Sequence, residues 1–593
     1  MAEDTTNELL ASVANVSDET EYYSPFPEGY VRGKTKYVVV LGTVMSGLGK
    51  GIFSSSLAKI LKDKGLRVAP IKMEGYLNLD SGTLNPFRHG EVFVLEDGME
   101  TDMDLGTYER MLNENLNKAN FTTSGQIFTR VLDQERHGRY LGRDVQWIPH
   151  VTGEVKRVLR DLAVKSKADV VFIEVGGTVG DYENGYFIEA LRELAYEEGE
   201  RSVCTVALTY VMEPHVLGEQ KSKAAQLGLR KVMEVGLQPH IIACRCQSPV
   251  TDKVKQKISM FSNVPQRRVF SMHDVRSIYL VPEMLREAGM DREVLTVLEL
   301  HERVNQRSED MARRNWVEFV DKLLAPKERS VTIGVTGKYT ALRDAYASID
   351  KALEHCSAHA GCDVRIEWID TTEVTPRNVA EKLKGCHGIV VPGGFGNRGI
   401  EGKIECVRYA REQKMPFLGI CLGFQMAVVE FARNVCKLED ANSTEFAPQC
   451  KSAVIDILPE QKRIEGLGGN MRLGAKDIDL KPGSMISGLY DNALSKTLRF
   501  RHRYEVDPKF IATLEKGGII FSGRHPGQPI MQMMELPKSM HPYFVGTQAH
   551  PCLTSRPLSP DGMFLGLVKA ALARAYPQQT LAEVGGALVG AAI

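Results

Sequence analysis

Three stretches of this 593-residue chain predict an α/β protein, a parallel-sheet domain followed by a second α/β domain. Residues 37–52 (YVVVLGTVMSGLGKGI) read as strand, glycine loop, lysine, helix. Apolar β-branched strands recur after it, as a sheet covered on both faces requires. Near residue 330 the pattern starts afresh, and it later contains a second sharp strand-to-helix turn, Gly419-Ile420-Cys421-Leu422-Gly423.

Taken in order, residues 1–33 are acidic and polar and read as a flexible extension, or as a docked regulatory tail. Val38 to Leu41 form the first strand, and residues 52–61 form the helix after the loop. Backbone N–H groups and a helix N-terminus face an anion there, and Lys50 adds a mobile charge, which is how a chain cradles a polyphosphate. The strict P-loop spacing is not met, because Val44 stands at the first glycine and Gly51 at the hydroxyl position. An ordinary strand-to-helix turn is the competing reading. Residues 67–73 form the second strand and carry Lys72 to the carboxyl edge, where ligands of open α/β sheets bind. Residues 74–110 are poor in helix signals and crowd Asp97, Glu100, Asp102 and Asp104 into a turn-rich stretch. Loop carboxylates beside a phosphate site suit Mg²⁺, and a solvated acidic loop is the alternative. A strand from Asp169 closes on Glu174, either a second metal-binding carboxylate or an acid satisfied by backbone. Strands follow at residues 202–211 and 239–245. Between them Lys221, Lys223, Arg230 and Lys231 make a basic helix start, suited to another anion or to solvent.

Residues 298–326 are helical and charge-rich, and the domain boundary is placed at 305–329. In the second half, strands at residues 388–391 and 417–420 end in Pro392–Gly396 and in the Cys421 elbow. A thiol at a helix N-terminus is expected to have a lowered pKa. Leu422 N–H and a backbone N–H from Gly393–Gly394 are candidates for an oxyanion hole. The base is His550, off the end of the strand at 543–549, or His502. Lys+Arg (74) nearly balances Asp+Glu (75), which argues against a large nucleic-acid or polybasic membrane surface. Eleven cysteines without C-x-x-C pairs read as reduced thiols of a cytoplasmic protein. No apolar run reaches the roughly 18 residues that span a bilayer.

The ordered strings SGLGKGI, YLNLDSGT, HGEVFVLEDGMETDMDLGTYER, EVGGTVGDYE, GEQKSK, VPGGFGNRG, GICLGFQ and RHRYEV resemble those of the CTP synthases, from about residue 35 to 575. The resemblance implies a synthase domain of the dethiobiotin-synthetase-like P-loop type (34–304), a linker (305–329), a class I glutamine amidotransferase domain (330–575) and a tail (576–593). It implies ATP-dependent amination of UTP through a 4-phosphorylated intermediate. The ammonia would come from glutamine by an internal tunnel, and the enzyme would use Mg²⁺, feedback by CTP and activation by GTP. It implies a homotetramer and filaments. Residue by residue, Ser46 matches a pyrimidine-nucleotide contact, and Gly47, Leu48, Gly49, Lys50, Gly51 and Ile52 match the ATP phosphate loop, with Lys72 beside it. Asp104 and Glu174 match the Mg²⁺ ligands. Asp181 and Glu183, with Tyr182 between them, match the CTP feedback pocket. Lys221, Lys223, Gln226 and Lys257 match the UTP/CTP site. Arg245, Asp274 and Val275 lie on the adenine side. Gly394, Leu422, Gln425, Glu445 and Arg503 match the glutamine pocket, Cys421 the nucleophile and His550 its base. GTP is expected near Phe395 and Arg472.

The chain departs from the family in places. Cys552 stands where the triad glutamate follows His-Pro, so an impaired glutaminase with ammonia-dependent synthesis is one alternative, unless another acid such as Glu445 supports His550. Ala224 and Ala225 interrupt the lysine-rich string, Glu74-Gly75 replaces Asp-Pro, Tyr182 replaces a small apolar residue, and His273 is altered on the adenine side. A non-catalytic filament or regulatory homologue is the other alternative. The retained Lys50, Lys72, Asp104, Glu174 and Cys421 argue against it.

Overall fold

The computed structural model describes residues 26–140, 142–214, 218–340, 342–457 and 471–577. Most of the predicted N-terminal extension and C-terminal tail, and residues 458–470, lie outside these. Within them the chain forms two compact units, residues 26–80 with 107–314 and residues 81–106 with 315–577.

The first unit is built on β1 (Lys36–Gly42), α1 (Lys50–Asp63), β2 (Val68–Glu74), β3 (Phe121–Thr123), β4 (Val170–Val175), β5 (Val203–Tyr210), β6 (Ile241–Cys246) and β7 (Val269–His273). The sheet order is β3-β2-β4-β1-β5-β6-β7, all parallel. The continuous run Tyr37 to Leu41 is buried throughout because β1 is central and helices cover both faces. Each such side chain contributes roughly 1.5–3 kcal/mol of transfer free energy, as an upper estimate. Register sets Lys72 of β2 directly beside Glu174 of β4. The carboxyl ends of β1, β2 and β4 therefore share one edge.

The helix after the loop begins at Lys50, two residues earlier than the sequence suggests, because Gly49 takes a left-handed φ of 78° and turns the chain into it. The stretch read as poor in helix contains the helices Pro86–His89 and Met103–Leu112. Pro86 opens the first, with Asn85 capping it through Phe87 N–H. The predicted linker is largely one helix, Gln306–Leu324.

The second unit carries β8 (Ser330–Gly337), β9 (Asp363–Asp370), β10 (Gly388–Val391), α2 (Ile400–Glu412), β11 (Phe417–Ile420), α3 (Leu422–Asn434), β12 (Arg472–Leu480), β13 (Ser495–His502), β14 (Ile520–Arg524), β15 (Met531–Glu535) and β16 (Phe544–Thr547). Its sheet runs β9-β8-β10-β11-β16-β15-β14-β12-β13. The pairs from β9 to β16 are parallel and the remainder antiparallel. Residues 81–106 pack inside this unit. The hairpin Phe93–Val94/Glu100–Thr101 lies against β13, where Arg499 donates to the Val94 carbonyl at 3.1 Å and Arg501 Nε to Glu100 at 2.6 Å.

Candidate active sites

In the first unit the glycine loop and the strand ends gather charge. Lys50 is buried, and its Nζ donates to the Gly177 carbonyl at 2.6 Å. A Cβ at Gly42 would meet that Nζ at 2.9 Å, so the strand must end in glycine for the lysine to lie back across it. Val44 holds a φ of 70°, which strains a β-branched residue. The loop thus takes its turn without the missing glycine. Ser46 and Gly47 are exposed, whereas Leu48 is buried.

Lys72 pairs with Glu174 at 3.2 Å and with Glu74 at 3.3 Å. Glu174 is wholly buried and also accepts from Tyr108 Oη at 2.9 Å. Two acids around one ammonium form a pocket that holds positive charge. Glu74, which the sequence marks only as a replacement for Asp, stands two residues after Lys72 on the same face of β2. Asp104 opens the helix Met103–Leu112, in the segment belonging to the second unit. Among the described residues no group of three or more His, Cys, Asp or Glu side chains could hold a metal by itself. A Mg²⁺ site with one or two carboxylates, completed by phosphate oxygens, fits this donor set.

The other predicted residues of this unit fall into three groups. Gly47, Leu48, Arg245 and Asp274 line one cleft, and Arg245 pairs with Asp274. Asp181 holds the turn after Glu174, accepting from Thr178 N–H at 2.6 Å and Oγ1 at 2.9 Å. Tyr182 is fully exposed. Lys221 pairs with Glu219, whose carboxyl is held below the usual range first by Lys221 and further by Lys253 and Lys257. Gln226 donates to Ser222 Oγ at 3.2 Å, and Lys223 begins the helix Lys223–Glu234.

In the second unit one cavity is lined by Cys421, His550, Gly393, Gly394, Phe395, Arg501 and Cys552, with Glu91 from the 81–106 segment. Cys421 caps α3 in a strained conformation, φ 53° and ψ −105°. Its Sγ contacts the Arg501 carbonyl at 3.6 Å and receives Gln548 Nε2 at 3.5 Å. A Cβ on Gly393 would lie 3.1 Å from His550 Cε1 and 3.5 Å from Cys421 Cβ, so the bare glycine lies against both groups. His550 Nε2 is buried with no partner, as a base awaiting a proton requires.

The Cys421 thiol does not have the lowered pKa that its place at a helix N-terminus predicts. Burial pushes Cys421 up to about 12, and the Leu422 N–H and the charges of Arg501 and Lys403 only partly oppose it. Burial, helped by Arg501, likewise holds His550 down to about 4, while a backbone hydrogen bond to Arg501 favours its charged form. Free enzyme therefore holds a neutral thiol and a neutral imidazole. The signs give an expected outcome: alkylation of Cys421 by iodoacetamide should climb by about a hundredfold or more between about pH 6 and about pH 9. A plateau at acid pH, the mark of a preformed thiolate–imidazolium pair, would contradict it.

The glutamine-pocket residues surround this centre. Gln425 is buried and donates to the Tyr504 carbonyl at 2.9 Å and to Gln548 Oε1 at 3.1 Å. Glu445 accepts from Gly396 N–H at 2.9 Å, and burial raises its pKa despite Lys338 and Arg503. His502, the competing base, lies buried against Phe500 with Nδ1 on the Tyr504 carbonyl at 3.2 Å, and burial lowers its pKa to about 3. Gln548 and Arg501 were not singled out by sequence; Gln548 stands two residues before His550, its only signal. Cys552 is buried, and burial first, then Glu91 and Asp561, raises its pKa well above the ordinary value.

A buried cysteine on a strand-to-helix elbow, with an open imidazole beside it, defines this half as a glutamine amidotransferase domain. Residues 341–570 match the model of the class-I glutamine amidotransferases, and residues 36–300 match that of the CTP synthase N-terminus. The CTP synthase of Methanopyrus kandleri is 47% identical over 538 residues, 90% of this chain and 99% of that one. The solved glutaminase domain of Trypanosoma brucei CTPS with bound acivicin is 33% identical, covering 41% of this chain and 93% of its own, with a TM-score of 0.38. The chain belongs to the CTP synthase family, the glutamine-dependent enzymes that convert UTP to CTP. No described helix is long and apolar enough to cross a membrane.

Proposed function

We propose that the two sites carry out successive half-reactions. At Cys421, the thiol adds to the side-chain amide carbon of glutamine as His550 takes its proton. The nitrogen leaves as ammonia with that proton, and water then cleaves the thioester to glutamate. Leu422 N–H and the Gly393–Gly394 loop receive the developing oxyanion, while Gln425, Glu445 and Arg503 hold the amino-acid end. At the first unit the γ-phosphoryl of ATP passes to O4 of UTP. Ammonia adds at C4 and phosphate departs, giving CTP. Glycines 47, 49 and 51 with Ser46, Leu48 and Ile52 cradle the ATP phosphates, and Lys50 and Lys72 neutralise charge as it shifts. Arg245, Asp274 and Val275 take the adenine side. Lys221, Lys223, Gln226 and Lys257 take the UTP triphosphate, and Asp181, Tyr182 and Glu183 the CTP feedback pocket.

Glu174 and Glu74 would hold Mg²⁺, which supplies charge neutralisation on the phosphates; Asp104 is matched to a Mg²⁺ ligand by the resemblance alone. Internal transfer of ammonia, GTP activation near Phe395 and Arg472, a homotetramer that extends into filaments, and a cytoplasmic location are further parts of this reading. The observation that carries the synthase assignment is Lys72 bridging two strand-end carboxylates beside Lys50.

Cys552 supports a second reading, in which synthesis with ammonia outpaces synthesis with glutamine. A buried neutral thiol cannot stabilise an imidazolium as a carboxylate does. Cys552→Glu should raise glutamine-dependent kcat about tenfold and leave ammonium-dependent kcat unchanged. Steady-state CTP formation with each nitrogen source tests it, and no gain would sink the missing carboxylate as the cause.

A further inference from the structure

The second unit buries a cation that neither half-reaction described above uses. Lys403 lies in the first turn of α2, wholly excluded from solvent, and its Nζ donates to the Pro392 carbonyl at 2.7 Å. No carboxylate pairs with it among the described residues, so the site bears the cost of a buried ammonium without an acid. What faces it is the amidotransferase centre. The charged and titratable groups acting on it are Lys338, which opposes its charge, and the Cys421 and Cys406 thiols, which favour it. Lys338 donates to the carbonyls of Phe395 and Gly396. Two lysines thus hold carbonyls along the 392–396 loop. In a planar trans peptide the N–H points opposite to the C=O. Drawing the Pro392 carbonyl toward α2 therefore turns the Gly393 N–H the other way, and Gly393 is the residue lying between Cys421 and His550.

We infer that Lys403 is a positioning residue for glutamine hydrolysis: it fixes the Pro392–Gly393 peptide so that its N–H serves the reacting carbonyl, and its charge supports the Cys421 thiolate. This rests on Cys421 being the nucleophile. Burial, with Lys338 adding to it, lowers the Lys403 pKa to about 7, and Cys421 counts it among the charges drawing its own pKa down. The two groups therefore titrate together.

Full-length Lys403→Met removes donor and charge at similar length, and Lys403→Gln keeps a donor without charge. Expected for Lys403→Met is about a tenfold fall in glutamine-dependent kcat, glutamine KM within about threefold and an unchanged ammonium-dependent rate. Alkylation of Cys421, corrected with Cys421→Ala, should slow about tenfold near pH 6, and the difference from the unaltered enzyme should shrink toward pH 9. Lys403→Gln should show the same alkylation change with a smaller loss of kcat. A kcat within about twofold together with an unmoved alkylation profile overturns the inference. Equal losses with glutamine and ammonium also overturn it, since they mark a purely structural role. Should Lys403→Met fail to fold, Lys403→Gln decides by the same two readouts. Glutamine-dependent activity surviving in Cys421→Ala instead overturns the assignment of the nucleophile.

Discussion

Cys421→Ala abolishes CTP formation from glutamine, by about a thousandfold or more, and leaves formation from ammonium within about twofold. The size follows from chemistry: alanine offers no atom that can form the thioester. Sparing of the ammonium route follows from the division of the chain, since Lys50, Lys72, Glu74 and Glu174 all belong to the first unit. Alanine keeps the Cβ and with it the elbow's positive φ of 53°, so the backbone is unchanged, and it leaves the neighbouring Leu422 and Gln548 in place. Parallel assays with the two nitrogen sources check the outcome. Loss of both routes would mean that Cys421 supports the fold rather than the reaction.

The second large effect is the converse. Glu174→Gln lowers CTP formation from both nitrogen sources by about a hundredfold or more, while glutamate release from glutamine persists. Glutamine is close in shape to glutamate and still accepts the Tyr108 hydroxyl, which donates at 2.9 Å. Lys72 keeps Glu74 as a partner at 3.3 Å, so its charge is not stranded. What is lost is the negative charge that, with Glu74, suits the pocket to a divalent cation. Varying Mg²⁺ should show a raised requirement. Unchanged synthesis at low Mg²⁺ would remove Glu174 from the metal site.

Much of this was legible in the chain because local pattern and tertiary role coincide. Val38 to Leu41 read as an apolar strand and form a buried one, central in the sheet. The glycine loop predicted a turn into a helix, and Gly49 makes it. The Cys421 elbow is legible because the cysteine stands between a four-residue apolar strand and a helix. What escaped depends on register and burial. Glu174 meets Lys72 only because β2 and β4 are paired in one register. The packing of residues 81–106 with β13 joins positions some 400 apart in sequence, as with Arg501 and Glu100, which no local pattern encodes. The thiol pKa was misjudged because a helix N-terminus is visible in sequence and desolvation is not: enclosure of Cys421 outweighs the Leu422 N–H.

The most direct test is CTP formation from UTP, ATP and Mg²⁺ by the unaltered protein, once with glutamine and once with ammonium. CTP should form under both conditions; a slower rate with glutamine than with ammonium would favour the second reading. Absence of CTP under both conditions would contradict the account.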